Sequence, residues 1–132
     1  KAVWHKFRGN LCEDIDTAPV NGEYIVESVS IPEEVKGDIG LVLTGYLEVP
    51  ADGIYTFALL SDDGSTLKLD GELLGDNDGA HSPVEIIVQK ALKAGLHPME
   101  VRYFDCNGGV LQMELVNEKG DKEVLPKEWL KN

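Results

Sequence analysis

The sequence predicts an all-β fold, and three observations support this prediction. Short runs of alternating apolar and polar residues recur along the 132 residues, each bounded by turn residues. No segment after residue 38 carries a long apolar period of 3.6 residues with helix caps. Two turn sequences, Pro50-Ala51-Asp52-Gly53 and Asp70-Gly71, separate alternating runs in the way that hairpin turns do. We therefore expect an antiparallel two-layer β-sandwich or a partly closed barrel of about ten short strands.

Turn signals and alternation place the elements in order. The predicted strands are 4–8, 23–29, 39–49, 54–60, 66–70, 72–75, 84–90, 99–104, 110–116 and 122–125. Pro126 precedes Lys127-Glu128-Trp129-Leu130, and a leading proline favours a short helical turn there. Residues on like faces of these strands are expected to form the core, namely Leu41, Leu43, Leu47, Val49, Phe57, Leu59, Leu67, Leu69, Val101 and Leu115.

Composition limits the class of protein. A chain of 14.5 kDa is one domain of ordinary size, large enough for a single core, so we expect one domain over 1–132. No apolar run approaches the roughly 18 residues of a membrane span. The net charge of −12 repels phosphate backbones, which argues against nucleic acid and anionic lipid as partners. Because the chain begins at Lys1 without an initiator Met or a signal segment, we expect a module of a longer protein. We also expect this module to be a monomer.

Cysteines and histidines show no metal-binding spacing. Cys12 and Cys106 stand far apart without a second nearby thiol, which argues against structural zinc and thioredoxin-like chemistry. Whether the two form a disulfide is left open by the sequence. His81 and His97 are expected to donate to carbonyl groups at strand ends, and His5 stands alone.

The segment Ser61-Asp62-Asp63-Gly64-Ser65 follows the alternating run 54–60. Neighbouring side chains on an extended strand point to opposite faces, so Asp62 and Asp63 converge only if the backbone between them is unusual. We therefore expect a cis or otherwise strained Asp62-Asp63 peptide. The pair has three interpretations: a general acid and base, a site for a hard cation, or a turn in which the carboxylates accept backbone N–H groups.

Six short segments follow one another in order, namely Gly45 to Phe57, Ser61 to Ser65, Leu69-Asp70-Gly71, Asp76-Asn77-Asp78-Gly79, Leu92 to Pro98, and Val101-Arg102-Tyr103-Phe104. In their order and spacing they resemble the protective-antigen-type (PA-14) domain, a β-rich module found in glycosidases, adhesins and bacterial toxins. The resemblance runs from about Trp4 to about Leu125. An EF-hand does not explain the Asp76 segment, because position 12 of that loop is Ile87 and supplies no bidentate carboxylate.

The resemblance implies a calcium site and ligand-binding loops. Asp62, Asp63 and Asn107 are the implied calcium ligands, because sugar-binding members of the family place an Asn from the loop at 105–109 beside the Asp pair. Glycan contact would involve the loops 61–65, 76–83 and 105–109. Their candidate residues are Ser61, Gly64, Ser65, Asp76, Asn77, Asp78, His81 and Asp105. Unlike in fungal adhesins, the loop at 105–109 is short and has no aromatic residue or Arg to stack on a sugar.

These observations favour a non-catalytic carbohydrate-binding or carbohydrate-associated module of an exported bacterial glycoside hydrolase. The host enzymes that the resemblance suggests are β-N-acetylhexosaminidases and β-glucosidases, and the expected partners are a glycan and the catalytic domain of the same chain. The chain itself contains no nucleophile motif. Two alternatives are a ligand-free spacer or protein-docking module, and a calcium-dependent lectin.

Among the aromatic residues, Tyr46, Tyr55 and Tyr103 are expected in the core or wall and Trp129 at the surface.

Overall fold

The computed structural model describes residues 1–106 and 108–132, and over these residues the chain forms two antiparallel β-sheets. The predicted all-β sandwich is confirmed. In the described part of the chain the sheets stay open at their edges and do not form a closed barrel. The strands are β1 (Ala2–Lys6), β2 (Val20–Tyr24), β3 (Ile39–Val49), β4 (Gly53–Asp62), β5 (Ser65–Leu69), β6 (Glu72–Asn77), β7 (Val84–Leu92), β8 (Gly95–Asp105), β9 (Val110–Val116), β10 (Lys122–Val124) and β11 (Leu130–Lys131).

The strand order places β4 and β8 in different sheets. The larger sheet has the order β2-β1-β3-β8-β5-β6, and β11 also pairs with β3. The smaller sheet has the order β10-β9-β4-β7. Between β5 and β6, Asp70 (φ 55°) and Gly71 (φ 78°) both have positive φ, which is the two-residue hairpin that the sequence predicts.

The core lies between the two sheets, where the inward faces of their strands meet. Every predicted core residue except Leu115 is buried. Leu115 lies on the same face of β9 as the buried Leu111 and Met113 and packs against the core, but it is half-buried near the end of the strand. A smaller cluster of Phe7, Ile15 and Phe104 packs at the side of the larger sheet.

One predicted strand needs correction, and one helix was not predicted. The strand expected at 23–29 is Val20–Tyr24, because β1 pairs with it from Tyr24 back to Val20. A 3₁₀ helix at Cys12–Thr17 was not predicted, while a second at Lys127–Trp129 confirms the expected turn. In the described residues neither helix is long and apolar enough to span a membrane.

Two aromatic residues also differ from expectation. Tyr46 is 42% exposed on the outer face of the larger sheet and does not line the core. Trp129, expected at the surface, is half-buried and packs edge-on against Tyr55 with ring centroids 5.8 Å apart.

Candidate functional site

Two strands from different sheets end side by side at the candidate site. β4 ends at Asp62 and β8 ends at Asp105. The hydroxyl of Tyr103 donates to the carbonyl oxygen of Asp62 at 2.6 Å, and the Phe104 N–H donates to the carbonyl of Gly64 at 3.0 Å. These bonds tie the Asp62-Asp63 loop to the end of β8. The Asp62-Asp63 peptide is cis, as the sequence predicts.

Three carboxylates meet where these strands end, and we call them the carboxylate cluster. Asp62, Asp63 and Asp105 each place one oxygen atom within 4.8 Å of the other two. The sequence predicted the Asp pair as cation ligands, whereas it placed Asp105 only among the ligand loops. Asp62 and Asp63 are half-buried, and Asp105 is only 3% exposed.

Burial and charge perturb two groups at this site. Burial raises the pKa of Asp105; the nearby Tyr103 hydroxyl opposes that shift, and the negative charges of Asp63 and Asp62 add to it. Burial, followed by the charge of Asp105, also raises the pKa of the Tyr103 hydroxyl. Tyr103 is therefore a neutral hydrogen-bond donor at physiological pH.

One oxygen atom of Asp105 indicates that the cluster binds a ligand. In the described part of the chain, the buried Oδ1 atom of Asp105 has no hydrogen-bond partner. A buried carboxylate oxygen without a donor or cation is unfavourable, and native proteins rarely contain one. Calcium takes six to eight oxygen ligands, with carboxylates and carbonyls preferred, so an all-oxygen cluster of this kind fits a hard cation. It does not fit zinc, which favours nitrogen and sulfur ligands.

Backbone N–H groups hold Asp63 from two sides. Its Oδ1 accepts the N–H of His81 at 3.0 Å, and its Oδ2 accepts the N–H of Cys106 at 3.1 Å. Each oxygen retains a second lone pair, so Asp63 can bind a cation while it keeps both bonds. Asp63 thereby connects the loop after β6 with the loop after β8.

Two glycines permit the close approach of these loops. A Cβ atom on Gly109 would collide with the Asp62 carbonyl oxygen and lie 2.8 Å from the Tyr103 hydroxyl. A Cβ atom on Gly64 would lie 2.5 Å from the Phe104 ring and 2.7 Å from the Gly79 nitrogen. Both positions therefore require glycine because of space.

Three residues predicted in the ligand loops lie behind the cluster. Ser61, Ser65 and Asn77 are buried. The hydroxyls of Ser61 and Ser65 are 2.6 Å apart, and the Asn77 amide donates to the Ser61 hydroxyl at 3.2 Å and to the Val84 carbonyl at 2.8 Å. Their polar atoms are satisfied within the protein, so they support the loops from the inside.

Asp76 and Asp78 lie outside the carboxylate cluster. The carboxylate of Asp78 accepts the N–H of Cys12 at 3.0 and 3.2 Å, which anchors the first 3₁₀ helix. Asp76 accepts the N–H of Asp78 at 3.2 Å. Both line a separate cleft with Arg102. The structure thus gives these two aspartates local anchoring contacts.

His81 braces the loop beside the cluster. Its Nε2 lies 2.8 Å from the Asn77 carbonyl oxygen and its Nδ1 lies 2.7 Å from the Ser82 carbonyl oxygen, as expected for a histidine that donates to carbonyls. Partial burial lowers the pKa of His81, but these two carbonyls and the charges of Asp63 and Asp62 outweigh it, so the pKa is raised.

A cleft opens beside Asp105. It encloses about 450 Å³ between the end of β8 with Gly108 and Gly109 and the segment 31–39, which includes Glu33 and Lys36. The sequence analysis did not predict this second wall, because the segment has neither strand periodicity nor a motif. Asn107, the third predicted calcium ligand, lies outside the described residues. Cys12 is buried and Cys106 exposed, and both are free thiols.

A comparison with known protein families identifies the class of this protein. The model of the PA14 domain family matches residues 2–129, and the chain belongs to this family. Among curated proteins no significant match is found.

Solved structures share the fold at low identity. An anti-sigma factor domain-containing protein is 21% identical with a TM-score of 0.81, over 98% of this chain and 46% of that one. A PA14 sugar-binding domain from an RTX adhesin is 19% identical with a TM-score of 0.79, over 98% and 96% of the two chains. A GH31 α-xylosidase from Xanthomonas citri is 17% identical with a TM-score of 0.68, over 97% of this chain and 14% of the enzyme. The chain thus spans less than half of the first and the third of these proteins.

Proposed function

We propose that this chain is a non-catalytic carbohydrate-binding module that holds a glycan at a calcium ion bound by Asp62, Asp63 and Asp105. Asn107 of the same loop is proposed as a further ligand, as the sequence resemblance implies. The observation that carries this proposal is the meeting of three carboxylates, one of which, Asp105, has a buried oxygen without a hydrogen-bond partner among the described residues. A bound cation would explain why three carboxylates lie together, since their mutual repulsion is otherwise unfavourable.

The cluster leaves room for a glycan. If each of the three carboxylates supplies the one oxygen that lies within 4.8 Å of the others, calcium, which takes six to eight oxygens, keeps positions for water or for hydroxyl groups of a sugar. Asp105 also lines the cleft of about 450 Å³, which falls within the range of small-ligand sites, roughly 300 to 1,000 Å³. Glu33 and Lys36 on the opposite wall can contact a bound sugar.

The wider setting is part of the same proposal. One solved relative of this fold is a sugar-binding domain from an adhesin and another is a GH31 α-xylosidase. We infer that residues 1–132 are one monomeric domain of a larger exported protein, with a glycoside hydrolase catalytic domain in the same chain. Because the chain matches only 14% of the α-xylosidase, the identity of the host enzyme does not follow from that likeness.

A second candidate function is a ligand-free spacer or docking module. The observation that favours it is the pair of N–H groups from His81 and Cys106 on the Asp63 carboxylate, because these bonds join two loops without an ion. This alternative leaves the unsatisfied Oδ1 of Asp105 without an explanation.

A glycan array separates the two candidates. The protein is applied to immobilised glycans in excess calcium and again in EGTA. The carbohydrate-binding proposal predicts signals that require calcium and that are lost in Asp63→Asn and Asp105→Asn. Asp121→Asn is the matched control, since it removes one exposed carboxylate in the loop before β10. Identical signals in calcium and EGTA, or calcium-dependent signals that persist in both cluster variants, would contradict the proposal.

A further inference from the structure

A second feature stands apart from the carboxylate cluster, on the outer face of the larger sheet. Tyr46 on β3 is 42% exposed, although β3 is an inner strand with neighbours on both sides. Its partner across the sheet is Pro98 on β8. Pro98 lies seven residues along β8 from Asp105, which is about 23 Å at the usual rise of a strand. Tyr46 is therefore too far from the carboxylate cluster to belong to that site.

A cleft of about 550 Å³ surrounds this tyrosine. Tyr46, Pro98, Lys68, Glu100 and Gly71 all line it. The rings of Tyr46 and Pro98 are neighbours on the outer face, because cross-strand partners lie side by side on one face of a sheet. Gly71 at the hairpin between β5 and β6 adds no side chain to the cleft. We call this surface the Tyr46 platform.

Polar groups with unused bonding capacity border the platform. Lys68 and Glu100 are cross-strand partners on β5 and β8. Among the residues that the structure describes, the Lys68 ammonium has no ion-pair or hydrogen-bond partner. One oxygen of Glu100 accepts the Nε–H of Arg102 at 2.6 Å. The other oxygen is available to a ligand, so the platform has a donor and an acceptor next to each other.

From this combination we propose that the Tyr46 platform is a second glycan subsite, which binds a pyranose ring without calcium. The C–H groups on one face of a pyranose carry partial positive charge and suit the negative face of the Tyr46 ring. Each sugar hydroxyl both donates and accepts hydrogen bonds, so neighbouring hydroxyls can engage Glu100 and Lys68 together.

Other occupants fit this surface less well. An apolar protein surface would bury the charges of Lys68 and Glu100 without new partners, which is unfavourable. A nucleic acid would meet a protein with a net charge of −12. The proposal shares a ligand class with the calcium site but does not depend on it, because no residue of the carboxylate cluster lines this cleft.

The test is the glycan array in EGTA, with the complete chain and four variants. We expect the parent protein to bind neutral pyranose glycans in EGTA and Tyr46→Ala to weaken this binding by about tenfold, as loss of one stacked ring does. Tyr46→Phe should retain it within about twofold, since the ring remains. Lys68→Ala should weaken it. Ile54→Ala, which removes an exposed side chain from the other sheet, is the control and should have no effect.

The results distinguish this subsite from the calcium site. Failure of the calcium proposal would remove only the calcium-dependent signals and leave those in EGTA. Absence of binding by the parent protein in EGTA, or binding that persists in Tyr46→Ala, would overturn the subsite. If sedimentation shows that the parent protein is a dimer and Tyr46→Ala a monomer, the platform is covered by a second copy of the chain, and the proposal is wrong.

Discussion

The substitution Asp105→Asn should stabilise the protein without calcium and should lose that advantage, or destabilise the protein, with calcium. It keeps the shape of the side chain and removes one of three negative charges whose oxygens lie within 4.8 Å of one another. At that distance two unit charges repel by about 1 kcal/mol in water and by about 3.5 kcal/mol at an effective dielectric constant of 20. Because Asp105 is 3% exposed, relief from the nearer carboxylate should exceed the lower figure.

In EGTA, therefore, Asp105→Asn should stabilise the protein by about 1 to 3 kcal/mol. For 132 residues each kcal/mol corresponds to about 3 to 4 °C in the melting temperature. In calcium at 100 times its dissociation constant the parent protein gains about 2.7 kcal/mol, whereas the variant should gain little. The difference between the two melting temperatures should then shrink or change sign.

Circular-dichroism melts of both proteins in EGTA and in calcium measure this effect, with Asp121→Asn as the control for a change of one charge. If Asp105→Asn melts below the parent protein in EGTA, the carboxylate stabilises the cation-free fold and the electrostatic reasoning is wrong. An equal calcium-induced shift in both proteins would remove Asp105 from the ligand set.

Three further predictions concern the core, a histidine and the ion. Leu69→Ala should destabilise the protein by about 2 to 5 kcal/mol, because Leu69 is fully buried, whereas the exposed Leu73→Ala should stay within about 0.5 kcal/mol in urea titrations. The Lys93 carbonyl makes the largest contribution to the raised pKa of His97, and Asp70 raises it further, while partial burial opposes the shift. Its stabilising contribution is present below the ordinary pKa of about 6.5 and is lost as pH rises through the raised value, so the loss of melting temperature in His97→Gln should shrink from pH 5.5 to pH 9. Magnesium should raise the melting temperature less than calcium, since it demands near-ideal octahedral geometry; an equal effect of both ions would indicate nonspecific screening.

Local patterns predicted much of the fold. β3 and β9 have the predicted bounds, because alternation continues along both strands and turn residues end them. The strand at 23–29 was misplaced because Tyr24, Ile25 and Val26 form a run of residues that favour strands, while pairing with β1 ends at Tyr24 and leaves Ile25 71% exposed. The 3₁₀ helix at Cys12–Thr17 has only six residues, too few to show a helical period.

The candidate site was predicted only in part. Asp62 and Asp63 could be identified from the sequence because they are adjacent at the end of an alternating run, and the expected cis peptide is present. The part played by Asp105 depends on β4 and β8 ending together from different sheets, which no local pattern encodes. The alternation of β3 was sufficient for Tyr46: it has the opposite parity to the buried Leu47 and Val49, which places it on the outer face, and the expectation of a core position overlooked this.

Calorimetric titration of calcium into EGTA-treated, dialysed protein tests the central claim most directly. The account predicts saturable binding with one ion per chain in the parent protein and in Asp121→Asn, and strongly weakened binding in Asp63→Asn and Asp105→Asn. Absence of saturable binding to the parent protein, or unchanged affinity in both cluster variants, would contradict the claim that Asp62, Asp63 and Asp105 form a calcium site.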